Sequence, residues 1–68
     1  MDEETFNMSL RKFLKTVGVN SQREIEQAVA KATESGRITG NESFPVKMRL
    51  TGEGLELDVT FDGEIRLE

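Results

Sequence analysis

Along the first half of the chain apolar residues recur with a helical period, and along the second half they recur with a period of two. Phe6, Leu10, Phe13, Leu14 and Val17 fall at spacings of 4, 3, 1 and 3, one stripe of a 3.6-residue repeat. The pattern predicts a helix over residues 2–17. Acids crowd its first turn, and Arg11, Lys12 and Lys15 occupy its second half, the arrangement the helix dipole favours. Gly18 stands where a left-handed residue would close such a helix. Ser21 followed by Glu24 then reads as a capping box. Ile25, Ala28, Val29 and Ala32 repeat at i, i+3, i+4 and i+7 behind it, so a second helix is expected over 21–35. The short link from Gly18 to Asn20 implies an antiparallel helical hairpin.

Residues 36–45, "GRITGNESFP", are rich in turn formers and hold Ile38 as their one strong apolar anchor. Beyond them three alternating runs predict strands over 44–51, 55–61 and 64–68, each with one apolar face. Opposed residues in an antiparallel pair share a face, so the alternation constrains the register. A four-residue loop at Thr51–Gly54 pairs Leu50 with Leu55, Met48 with Leu57, Val46 with Val59 and Phe44 with Phe61. It also sets Arg49 against Glu56 and Lys47 against Asp58 on the charged face. A two-residue turn at Asp62-Gly63 would mix the faces. A three-residue connection keeps them sorted, either Phe61–Gly63 with Gly63 left-handed, which is favoured, or Asp62–Glu64.

The fold expected from this pattern is a single two-layer α+β domain spanning residues 1–68. Two amphipathic helices pack on a three-stranded antiparallel meander, in the order α-α-β-β-β. Its core would comprise Phe6, Leu10, Phe13, Leu14, Val17, Ile25, Val29 and Ile38 with the ten apolar strand residues. Burial in so short a chain is nearly offset by the entropy of ordering it, which makes self-association a reasonable supplement.

Composition narrows the function more than it names it. The 68 residues contain no Cys, His, Tyr or Trp, which removes thiolate chemistry, the commonest general base and the commonest metal ligand. The net charge is −4, and residues 36–68 carry most of it, at −3. A nucleic-acid binder needs a basic stripe, and none is present. No apolar run approaches the roughly 18 residues of a membrane span. The chain starts at Met1 with Asp2-Glu3-Glu4 and carries no tag or linker. It therefore reads as a complete small cytoplasmic product.

The chemical motifs reduce to structural ones. Asp58, Asp62 and Glu64 are close in sequence, but their places on the outer face and at a turn account for them. "FDGEIRLE" lacks the alternating oxygen ligands of a calcium loop. The glycines of "TGEGLEL" join strands rather than open a helix, so they do not make a phosphate cradle. "VGVNSQREIEQAV" has the outline of a helix-turn-helix, yet Glu24, Glu26 and Glu34 would face phosphate badly. Arg11, Lys12 and Lys15, with Arg37 in the loop, are the remaining candidates for an anion or an acidic partner. Met8 lies off the helical stripe and is free for contact. No catalytic residue, cofactor site or metal site is expected.

"FLKTVGVNSQREIEQAV", "SGRITGNE" and "DGEIRLE" together resemble a family of short proteobacterial proteins of unknown function. The resemblance covers nearly the whole chain and is carried by cap, glycine and alternation residues. It implies a self-contained bacterial domain and transfers no activity, cofactor or catalytic residue. The function expected is a non-enzymatic module for protein–protein interaction or self-association, with an unknown protein or a second copy as partner. A small-ligand or anion binder using the 36–44 loop is the alternative. Nucleic acid and membrane are not expected partners.

Overall fold

The computed structural model describes residues 1–68 and contains three elements. These are a helix α1 (Glu3–Glu34) and two strands, β1 (Ser43–Gly52) and β2 (Leu57–Arg66). The chain falls into two compact units, Met1–Arg37 and Ile38–Glu68, and each is described by itself.

The first unit is one helix of 32 residues, where the sequence pattern predicts two. Asp2 caps it: its Oδ1 accepts the backbone N–H of Glu4 at 3.0 Å and of Thr5 at 3.2 Å. The Thr5 hydroxyl donates to Asp2 Oδ2 at 2.8 Å, and Glu3 and Glu4 fill the dipole-favoured first turn. The helix then runs through Gly18, Val19 and Asn20 without a break. Asn20 Nδ2 donates to the Thr16 carbonyl at 2.8 Å, and Thr16 Oγ1 to that of Lys12 at 3.1 Å. The expected cap at Ser21 is worth only about 1 kcal/mol. A break there would leave up to four N–H and four C=O groups without helical partners. A helical Gly costs only about 1 kcal/mol, so continuing wins.

The apolar pattern supports continuation as well. Phe6, Leu10, Leu14, Val17, Ser21, Ile25, Ala28 and Ala32 follow spacings of 4, 4, 3, 4, 4, 3 and 4. This is an 11-residue repeat of about 3.67 residues per turn, so one straight helix keeps both predicted stripes on one side. At the C-terminus Gly36 adopts φ +78°. Its N–H donates to Thr33 O at 3.1 Å and that of Arg37 to Ala32 O at 2.9 Å, which is a Schellman closure.

The second unit is a long hairpin, where the alternation predicts a three-stranded meander. All ten residues of each strand pair, from Ser43 with Arg66 to Gly52 with Leu57. One further bond, from Leu67 N–H to Glu42 O at 2.9 Å, extends the ladder. The apolar pairs are Phe44–Ile65, Met48–Phe61 and Leu50–Val59. The faces therefore sort as expected, but the register is displaced by four residues from the expected one. Parity is blind to such a slide, because any even displacement preserves the faces.

The turn falls at Glu53–Glu56, with Leu55 N–H reaching Gly52 O at 3.3 Å. Its left-handed residues are Gly54 at φ +83° and Glu56 at φ +52°. Asp62 and Gly63, expected in a bulged connection, lie within β2 opposite Lys47 and Val46. The expected strands 55–61 and 64–68 are thus largely one strand, and Leu55 belongs to the turn.

No residue of either unit is buried, so the core expected from the apolar residues is not formed. Phe13 and Leu14 are about half exposed, at 51% and 54%, and Phe61 is 57% exposed.

Candidate functional site

The basic residues singled out in the sequence sit on one helix but do not converge. Arg11, Lys12 and Lys15 are exposed in the N-terminal half of α1. Arg37 follows its C-terminus, where its Nε donates to Ser35 Oγ at 3.1 Å. At about 1.5 Å rise per residue, Lys15 and Arg37 are separated by about 33 Å along the axis. They cannot grip one small anion together.

The loop before β1 contains a residue whose role the sequence reading missed. The backbone N–H of Thr39 donates to Glu42 Oε2 at 2.9 Å, and those of Gly40 and Asn41 to Oε1 at 2.9 and 3.2 Å. Gly40, at φ +111°, allows these successive amides to point inward. The amide hydrogen bonds, that of Thr39 foremost, lower the Glu42 pKa. The donors a bound anion would use are already taken by the loop's own carboxylate. The signal was legible: Thr39-Gly40-Asn41-Glu42 has the spacing of a capping box, in which the acid reaches back to an N–H.

On the charged face of the hairpin Arg49 grips Asp58 diagonally. Its Nε and a terminal nitrogen donate to the two carboxylate oxygens at 3.0 and 2.8 Å. The expected opposition of Lys47 to Asp58 and Arg49 to Glu56 is replaced by Lys47–Asp62 and Arg49–Thr60. The Arg49 hydrogen bonds lower the Asp58 pKa, which suits this carboxylate to pairing rather than to proton donation. No group of three or more acidic side chains is placed to hold a metal ion. No helix is long and apolar enough to cross a membrane.

The apolar faces remain. On α1, Phe6, Leu10, Phe13 and Leu14 are 41–54% exposed, and Met8 stands off the stripe at 66%. The hairpin presents Phe44, Val46, Met48, Leu50, Val59 and Phe61 on one side.

A family of unknown function, DUF6494, matches residues 1–68. The chain belongs to that family. No curated protein and no solved structure matches the chain. Membership thus rests on the whole-length pattern of this family and brings no site residue with it.

Proposed function

We propose that this member of the family is a non-enzymatic cytosolic interaction module, working by self-association or by docking on another protein. The observation that carries the reading is the apolar stripe of α1, half exposed along its N-terminal half in a chain with no buried residue. A two-stranded hairpin and a single helix are each marginal in water by themselves, so each gains stability from a further surface packed on it. The competing use as an anion binder is weakened because Glu42 already fills the loop amides.

Sedimentation equilibrium over a wide concentration range tests the reading, together with cross-linking in the native cell. We expect mass rising with concentration, or a defined cross-linked partner. A monomer at every concentration, with no cross-linked species, would overturn it.

A further inference from the structure

We propose that Asp62-Gly63 is a site of spontaneous aspartate isomerisation, held in check by the pairing of β2 with β1. The site stands apart from the interaction reading above and needs no partner.

Asp62 is the one Asp or Asn of the chain that is followed by Gly. The step needs no enzyme. The Gly63 backbone nitrogen attacks Cγ of the protonated Asp62 carboxyl and loses its proton, a five-membered succinimide closes, and one water leaves. Water then opens the ring at either carbonyl. Attack at Cγ restores aspartate. Attack at the former backbone carbonyl leaves an isoaspartyl link, in which the chain runs through Cβ and Cγ. Glycine favours the step because no Cβ obstructs its nitrogen. Asp62 is exposed and stands opposite Lys47 without an ion pair to it. Asp58, by contrast, is gripped by Arg49 and followed by branched Val59.

The hairpin opposes each requirement of the step. Opposed pairs in an antiparallel ladder alternate between hydrogen-bonded and non-hydrogen-bonded. The bond from Leu67 N–H to Glu42 O sets the phase, so Phe44–Ile65 and Val46–Gly63 are hydrogen-bonded pairs. The attacking nitrogen therefore has its N–H committed to Val46. Asp62 and Gly63 also lie in extended backbone within β2, out of which ring closure must turn them. Reaction thus requires the hairpin to open locally. Because the chemistry is slow against reclosing, its rate follows the population of the open form.

The product does not fit the ladder it came from. An isoaspartyl link adds one backbone atom between Asp62 and Gly63, whereas the alternation of β2 depends on equal backbone steps. Gly63 and the residues after it fall out of step with β1, and the Phe44–Ile65 pair is lost. Opening of the hairpin is thereby recorded as a covalent change.

The test incubates the full-length protein in near-neutral buffer, with and without guanidinium chloride, and locates isoaspartate by electron-transfer fragmentation. We expect it at residue 62, forming about tenfold faster or more in guanidinium. Gly54→Ala, which strains the turn, should speed the native reaction about fivefold. Asp62→Glu keeps the charge but enlarges the ring that must close, and should abolish the product. In the isomerised chain the Phe44 and Val46 amides should lose their exchange protection. Equal rates with and without guanidinium would overturn the gating, as would an unchanged rate in a Gly54→Ala chain that urea shows to be weakened. No product in guanidinium, or as much product in Asp62→Glu, would overturn the site itself. Protection retained at Phe44 and Val46 would overturn the loss of register.

Discussion

Glu42 holds its loop by accepting three successive backbone N–H groups. Its pKa, like those of Asp2 and Asp58, is lowered by hydrogen bonds to the ionised form. A lowered carboxylate contributes stability that is fully present above its unfolded value, about 4. That contribution is lost as pH falls through the folded value. Thermal melts across an acid series should therefore show stability falling below about pH 4, and Glu42→Gln should remove part of that slope. An unchanged acid limb in the variant would show that the loop bonds contribute nothing. Glycines report the register residue by residue. Gly63 lies in extended backbone, and a Cβ there would meet Val46 Cγ2 at 3.7 Å, an ordinary contact. Gly63→Ala should be neutral or stabilise by up to about 1 kcal/mol. Gly54→Ala, at φ +83°, should cost about 1 kcal/mol or more. Urea unfolding of the two variants checks both, and the reverse order would place the turn at Asp62-Gly63.

The helix at the level of the element turns on Gly18. Its surroundings leave a Cβ free space, and its φ is not left-handed. Gly18→Ala should therefore raise helicity by circular dichroism and stabilise the chain by about 1 kcal/mol. A helix that ended at Gly18 would instead lose stability on the same change, because Ala resists the left-handed cap. Helix and strand character were legible from residue spacing alone, since periodicity is a local property of the chain. The break was misread because a Gly followed by Ser-x-x-Glu is a real stop-and-start signal, but a small one. Each such signal is worth about 1 kcal/mol, less than the hydrogen bonds an uninterrupted helix preserves. The hairpin carries a similar lesson. Asp62-Gly63 has turn chemistry, but Lys47 and Val46 of β1 pair with it across the ladder.

For the molecule as a whole, exposure of Phe13, Leu14, Met48 and Phe61 makes association the property to measure. Leu14→Glu, on the helical stripe, should weaken self-association at least tenfold, while Met8→Glu, off the stripe, should leave it unchanged. Sedimentation equilibrium of both variants checks this, and equal effects would remove the stripe as the contact. Melting temperature should also rise with protein concentration, because association stabilises only the folded chain. The basic cluster Arg11, Lys12 and Lys15 is legible in the sequence, whereas its distance from Arg37 is set by the continuity of α1. The Thr-x-x-Glu spacing at Glu42 is that of a helix start, but here it closes a loop, so the spacing by itself does not assign the role.

Spacing along the chain was enough to establish that its first half is helical and its second half extended, and which side chains share a face. Those properties repeat over two to four residues and need no distant contact. The number of elements and the pairing of the strands required the folded chain. A face pattern repeats at every even slide, and a cap is worth little against an unbroken helix. Two predicted helices therefore became α1, and three predicted strands became β1 and β2.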